Sequence, residues 1–454
     1  MRRSSWPCRA AVSIAVASAI ASVAAADENP VQWVWSGSVT AHSAVVKAKA
    51  DPSSEPPRLI VSDRSHEPVG RSPSGVATFR LENLRPETEY TYEVALAGRT
   101  RREGRFRTFA DGPLSFRFAF ASCARTGSSS SVFETIESLE PLFFLHMGDL
   151  HYEDIATNDV GRFRKAFDAV LSSERQSSLY RSAPIVYVWD DHDYGPNDSD
   201  RTHPGKPAAL QAYDETVPHY PLERDDDGAP LDLRQAFSVG RLRFVVTDVR
   251  AHRAPEGEPD GPGKTMLGTS QREWLLDQLE AAKDGHELIV WVNAVPWIAR
   301  AGSGHGWGRY AWERRLIADR IRELGLVDRL LMVSGDAHMV AIDDGTHSNF
   351  ATDARTDEPA FPVVHAAPLD RSPSRKGGPY SHGTAARKRL FGLIPIQQFG
   401  LAEVRDDGAV LEVDLTGRDK RGRLLKGMAL RLRCRDGCEV VPRPDVTAAG
   451  TPTP

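Results

Sequence analysis

The chain has 454 residues, enough for two to three domains or for one large domain with an accessory module. Hydrophobic residues make up 40% and charged residues 26%, an ordinary balance for a globular protein that buries a sizeable core. The net charge of -5 gives no general pull toward nucleic acid or acidic membranes, so no nucleic-acid partner is expected, and an anionic substrate would need local positive charge from metals or placed arginines.

The first 26 residues read as a signal peptide rather than as fold. A basic start (Met1-Arg-Arg-Ser-Ser5) leads into a small-residue apolar run, and Ala24-Ala-Ala26 before Asp27 is an A-x-A cleavage site. Export to the periplasm or the outside follows, with a mature start near Asp27 and no transmembrane anchor in the mature chain. Arg2-Arg3 permits a twin-arginine route, although the residues after it fit that route poorly. Of the four cysteines, Cys8 leaves with the signal. Cys434 and Cys438 stand four apart around a turn, a spacing an exported protein can close as a small-loop disulfide. Cys123 is left unpaired.

Residues 27–110 read as an all-β front module. Apolar and β-branched runs such as Val31-Gln-Trp-Val-Trp35 are punctuated by Pro and Gly clusters. Within 81–94, a Leu-x-Pro turn precedes the alternating Tyr90-Thr-Tyr92-Glu-Val94, a pattern similar to the late strands of a fibronectin type III sandwich. Another small β-sandwich would read the same way.

The remainder, 114–440, alternates strands and helices and predicts an α/β domain. Its first strand ends in Ser122-Cys123, where the thiol is either a metal ligand or a buried structural cysteine. The buried strand over 142–145 ends in Gly148-Asp149, with Tyr152 three residues on. Asp149 offers two oxygens to two ions and Tyr152 offers a phenolate, a hard set suited to Fe(III) or similar ions; a turn-capping Asp with a packed Tyr is the other reading. A helix follows over 160–174, with Phe163, Phe167 and Leu171 on one face. The next strand ends in Asp190-Asp-His-Asp193, either a metal cluster or a solvated acidic turn. Residues 201–234 read as a rim loop with short helices, 237–249 as a hairpin, and 268–279 as a helix opened by a Thr or Ser cap. Leu288 opens a strand that ends at Asn293, and 314–324 is helical. Leu330 opens the last of these strands, where Asp336 and His338 alternate along an extended backbone and face one site. Residues 397–439 return to β, and 441–454 form a small-residue, proline-rich disordered tail.

Five strand ends therefore carry Cys123, Asp149 with Tyr152, Asp190 to His192, Asn293, and Asp336 with His338. Convergence of such ends on one sheet edge is the pattern of a two-metal hydrolase.

These residues carry a resemblance. Gly148-Asp-Leu-His-Tyr152 matches the Gly-Asp-x-x-Tyr block of purple acid phosphatases and PhoD-type enzymes. Phe120-Ala-Ser-Cys123, Trp189-Asp-Asp-His192, Asn293 and Ser334-Gly-Asp-Ala-His338 look like the PhoD-type alkaline phosphatase family, within the calcineurin-like metallophosphoesterases. The resemblance implies an α/β fold: a two-sheet metallophosphoesterase sandwich flanked by helices behind the fibronectin III-like front module. It implies a phosphodiesterase or phosphomonoesterase that activates water at a dinuclear site for in-line attack on a phosphate ester, and the chain is expected to be a monomer. Fe3+ would take Cys123, Asp149, Tyr152 and His338. Ca2+, or another divalent ion, would take Asp149, Asp191, Asn293 and Asp336, with Asp190 beside them. His192 would contact the phosphoryl oxygen or protonate the leaving group. Asp193 departs from the family pattern, where Glu is frequent, and His151 stands where an aliphatic or aromatic residue is more usual. Arg125, His151 and Arg250 are the candidate substrate contacts, with His151 otherwise a solvated loop residue. The alternative function is a non-catalytic, metal-bearing surface binding or adhesion protein, which an intact ligand set argues against.

Overall fold

The computed structural model describes residues 29–355, 358–385 and 397–442. The expected signal peptide, Cys8 and all but the first residues of the expected tail lie outside them. The chain is mixed α/β, dominated by three sheets with comparatively few helices.

The largest sheet has eleven strands. From one edge to the other they are Cys438–Val441, Leu424–Cys434, Leu411–Asp419, Gln398–Asp406, Phe116–Ala121, Phe143–Met147, Ile185–Val188, Val31–Gly37, Ala44–Ala50, Val76–Leu81 and Gly70–Arg71. Its centre is parallel, with Phe116–Ala121, Phe143–Met147 and Ile185–Val188 side by side. The second sheet has seven strands, with Leu242–Thr247, Leu288–Asn293, Leu330–Ser334 and Val363–Ala366 parallel in its middle. Such strands lie between two layers, which is why they read as unbroken apolar runs. Period-two alternation then sorts their side chains. Leu288, Val290 and Val292 join the core shared with the eleven-stranded sheet, whereas Ile289 and Trp291 join a second core. That second core includes Leu275 and Leu279 of the helix Thr269–Ala282 and Ile317 and Ile321 of the helix Ala311–Glu323.

The two large sheets meet through aromatic side chains. Phe118 and Phe143 of the first lie 5.4 Å from Phe244 of the second, both edge-on. At the carboxyl ends the sheets close to backbone distance. A Cβ on Gly335 would stand 2.6 Å from the Met147 carbonyl and from Ser122 Oγ, so only glycine fits where the two layers touch.

The front module contributes to both of its sheets differently. Val31–Gly37, Ala44–Ala50, Val76–Leu81 and Gly70–Arg71 extend the eleven-stranded sheet, joined by the parallel pairing of Gly37 with Ile185. Arg64–His66, Arg58–Val61, Glu89–Leu96 and Arg99–Arg107 form the third sheet. Trp33 Nε1 donates to Asp168 at 2.9 Å and Trp35 Nε1 to the Thr216 carbonyl at 2.9 Å.

Local departures from expectation have local causes. The helix expected over 160–174 stops at Leu171 and restarts as Glu174–Ser182. Ser173 takes extended backbone there and its hydroxyl donates to the Ser128 carbonyl at 2.6 Å. The helix Thr269–Ala282 is preceded by Gly268 at φ 74, not by a Thr or Ser cap. Thr265 accepts the Gly268 N–H and donates to Glu313, which leaves the cap position to a residue that tolerates that φ. Val340–Asp343, Val363–Ala366 and Thr384–Ala385 are strands for which the sequence pattern predicts no element.

Candidate metal centre

The parallel strands of both large sheets point their carboxyl ends at one place, where open α/β sheets put their ligand sites. Cys123 and Asp149 follow two strands of the first sheet, and Asp190 follows a third. Asn293 ends one strand of the second sheet and Asp336 follows its neighbour. The loops are laced together by backbone. The Cys123 N–H donates to the Gly148 carbonyl, the Ala124 N–H to Asp149, and the Gly335 N–H to Ala294.

The backbone at the site is held in an uncommon form. Cys123, Asp149, Asp336 and His338 have φ of 64°, 56°, 56° and 47°. Left-handed conformation at non-glycine residues costs roughly 1–3 kcal/mol each and concentrates where function requires a fixed direction. The extended backbone expected at Asp336 and His338 is therefore replaced by two left-handed turns. Gly148 is required as well: at φ 94, its Cβ would lie 2.4 Å from that of Asp190.

Cys123, Asp149 and His338 bring ligand atoms within 4.8 Å of one another, and so do Asp149, Asp191 and His192. Asp149 belongs to both groups. Tyr152 OH donates to Asp149 Oδ2 at 2.6 Å and lies 3.1 Å from His338 Nε2. His338 Nδ1 donates to the Ser372 carbonyl at 2.6 Å, which fixes the tautomer and turns the Nε2 lone pair inward. Asp190, Asp191 and Asp193 are buried, so the acidic turn is not solvated. It forms one turn of helix, Asp191–Tyr194.

Two cations answer these carboxylates. Arg250, 1% exposed, donates from Nε to Asp190 Oδ1 at 2.5 Å and reaches Asp191 at 3.6 Å. Lys376 Nζ donates to Asp336 Oδ1 at 2.5 Å. Burial pushes Asp149 well above the usual carboxylate range, with Asp191, Asp190 and Asp193 adding repulsion. Burial and then Asp149 push the Cys123 thiol and the Tyr152 phenol up in the same way. Asp190 is pushed up to about 8 by burial against the pull of Arg250. Asp191, equally desolvated, is held below the usual range by Arg250 and then His192.

Four buried oxygens at these strand ends have no partner: Asp149 Oδ1, Asp190 Oδ2, Asn293 Oδ1 and Asp336 Oδ2. An unpaired buried carboxylate oxygen is costly, and hard oxygens beside an imidazole nitrogen and a thiol are a donor set that suits metal ions. The residues present fit a metal centre.

The substrate candidates fare differently. Arg250 is a buried countercharge rather than a substrate contact, because its guanidinium is engaged by Asp190, Asp191 and the Ser199 carbonyl. His151 is neither solvated nor at the mouth. It is 0% exposed and packs edge-on to Phe167 at 5.9 Å. Arg125 is exposed, and its backbone N–H donates to Asp370 at 2.5 Å. His192 lies partly exposed at the rim, packed at a tilt against the Tyr152 ring with centroids 4.2 Å apart, and with Nδ1 2.6 Å from Asp154 Oδ1.

Asp154, Arg371 and Lys376 are not singled out by sequence reasoning, and Asp193, noted there within the acidic cluster, gains a definite role. Asp154 orients His192. Asp193 accepts from Tyr187 OH, from the Leu150 N–H and from the Asp190 N–H, which ties the Asp149 loop to the Asp190 turn. Arg371 places its guanidinium carbon 3.7 Å from the Tyr152 ring centroid. The signal for Arg371 and Lys376 was the basic run Arg371-Ser-Pro-Ser-Arg-Lys376 just beyond an apolar stretch.

A family model described as PhoD-like phosphatase matches residues 118–415. "Alkaline phosphatase D" of Bacillus subtilis (strain 168) is 24% identical over 310 residues, covering 57% of this chain and 52% of its own length. The chain thus spans about half the length of that curated relative. A solved structure of PhoD superposes with a TM-score of 0.71 at 15% identity, over 92% of each chain, a likeness of fold.

Proposed function

The chain belongs to the PhoD-like phosphatase family, and from that premise we propose that it hydrolyses phosphoric mono- or diesters at a dinuclear metal site. The observation that carries this reading is Asp149, common to two groups of potential ligands, with one oxygen held by Tyr152 and the other unpartnered. Cys123, Asp149, Tyr152 and His338 are assigned to Fe3+. Asp149, Asp191, Asn293 and Asp336 are assigned to Ca2+ or another divalent ion, with Asp190 held beside them by Arg250. Such a pair supplies positive charge against the phosphoryl group and acidifies a water for attack on phosphorus.

The chain's own groups do the rest. Arg250 holds Asp190 in place and keeps Asp191 charged. The Ser372 carbonyl holds the His338 ring. Asp154 accepts from His192 Nδ1, so Nε2 is the atom left for substrate. As water oxygen bonds to phosphorus and the ester P–O bond breaks, the departing alkoxide takes its proton from His192.

The front module, 27–110, is read as fibronectin III-like. Support comes from its two sheets and from Tyr90, whose OH accepts the Arg85 N–H at 2.9 Å. Export fits the signal-like start and the disulfide between Cys434 and Cys438. Among the described residues, no helix is long and apolar enough to cross a membrane.

The test is metal analysis of the purified chain with a visible spectrum, alongside turnover of a chromogenic monoester and diester. The expected result is one iron per chain, a tyrosinate-to-iron band that Tyr152→Phe abolishes, and hydrolysis that a chelator stops. A colourless protein, inactive after iron and calcium are supplied, would overturn the reading in favour of a binding module.

A further inference from the structure

The segment after the strand Val363–Ala366 crosses the mouth of the centre and is fastened along its length. The Leu369 N–H donates to the Ser122 carbonyl at 3.0 Å. Asp370 accepts from the Arg125 N–H and from Ser128 Oγ. Ser374 donates from N to the His338 carbonyl at 3.1 Å and from Oγ to the Ala337 carbonyl at 3.0 Å. The Gly378 N–H reaches the Ile298 carbonyl at 2.8 Å. A loop tied at both sheets presents its side chains from fixed positions.

Two of those side chains are cationic. Lys376 Nζ sits on Asp336, one oxygen of which it binds while the other stays unpartnered. Arg371 places its guanidinium carbon over the Tyr152 ring, and its Nε is buried without a partner. Arg250 cannot serve a ligand, since its guanidinium is 1% exposed and engaged on Asp190, Asp191 and Ser199. Arg371 is half-buried and Lys376 keeps a 31% exposed side chain, so both can be met from solvent.

An ion on Asp336 would neutralise the carboxylate that Lys376 now holds. The released ammonium would then stand beside a bound phosphate with three donors and no other acceptor assigned to it. Arg371 adds a planar fork suited to two oxygens of one phosphoryl group.

Building on the phosphoesterase reading, we propose that Arg371 and Lys376 form a cationic clamp on the non-ester oxygens of the substrate phosphoryl group, with Lys376 exchanging Asp336 for phosphate when the metal site fills. Before loading, Lys376 serves as the placeholder for the positive charge that the acidic centre needs.

The experiment uses the full chain, with inorganic phosphate as probe. Wild type, Arg371→Met, Arg371→Lys and Lys376→Met are loaded with iron and calcium, assayed for bound metal, and titrated with phosphate by calorimetry. The expected result is full metal content throughout and phosphate affinity about 10-fold weaker or more in both Met variants, with partial recovery in Arg371→Lys. Iron-loaded Lys376→Met is expected to take up calcium more tightly than wild type, because a competitor for Asp336 has gone. Phosphate affinity within twofold of wild type in both fully loaded Met variants would overturn the proposal. Loss of metal in parallel with loss of phosphate would also overturn it, since that marks a structural role. A wild type that binds metals and phosphate but hydrolyses no ester would overturn the parent reading alone.

Discussion

At the scale of single residues, the centre is a balance of buried charges, and the balance can be disturbed one group at a time. Arg250 sits between Asp190 and Asp191 with almost no exposure. Removing one partner of a buried ion pair leaves the other uncompensated, at about 3–5 kcal/mol. Arg250→Met is therefore expected to lose about that much stability in urea melts run with chelator, and adding Asp190→Asn is expected to return part of it. Asp154 acts through His192 rather than on substrate. Asp154→Asn is expected to slow alkyl phosphate hydrolysis by about 10- to 100-fold while barely affecting nitrophenyl phosphate, whose leaving group needs no proton; kcat for the two esters measures the split. The residues at the strand ends are legible in the sequence because a cluster of polar groups directly after a buried apolar run is costly unless something satisfies it. Asp154, Arg371 and Lys376 are not legible in the same way. Their approach to the centre depends on the paths of loops, which no local pattern encodes. The left-handed backbone at Cys123, Asp149, Asp336 and His338 is hidden for a related reason, since nothing in those residue types demands it.

At the scale of elements, the long helices and most strands follow their apolar periodicity; apart from the short strands Val340–Asp343, Val363–Ala366 and Thr384–Ala385, the deviations described lie at ends, where a single hydrogen bond decides. The pairing of Gly37 with Ile185 is another matter. It joins strands some 150 residues apart across the linker near Ala110, and sequence patterns carry no information on such partners. One consequence can be measured at the strand Ala44–Ala50. Lys47 is packed against the helix Lys206–Thr216, with Nζ 2.5 Å from the Asp214 carbonyl. Burial lowers its pKa from 10.5 to about 7, against the opposing pull of the Asp214 carboxylate. The folded chain thus holds this proton less firmly than the unfolded chain does. The stability Lys47 contributes is present above pH 10.5 and is lost as pH falls through about 7. Wild type is expected to gain more stability between pH 7 and pH 10 than Lys47→Met, as urea melts of both at the two pH values would show.

At the scale of the whole molecule, one core runs through both parts of the chain. Trp33, Trp35, Leu59 and Phe79 of the front module belong to the same buried cluster as Phe143, Val188 and Phe244. Trp35 packs 6.0 Å from Tyr180, and Tyr220 OH donates to the Val39 carbonyl at 2.7 Å. Two sequence modules with a shared core have no separate stabilities to lose. The described chain is expected to unfold in a single calorimetric transition, and two resolved transitions would contradict that.

The eleven-stranded sheet has two ends, and each is brief. One is the two-residue strand Gly70–Arg71, and the other is Cys438–Val441, crosslinked to its neighbour by the Cys434–Cys438 disulfide. A long open sheet offers unpaired backbone at its margins, where a second molecule can add and start a fibre. Here the margins are too short, and on one side too firmly crosslinked, to template such growth. That guards against self-association in a protein whose broadest surface of backbone pairing would otherwise invite it.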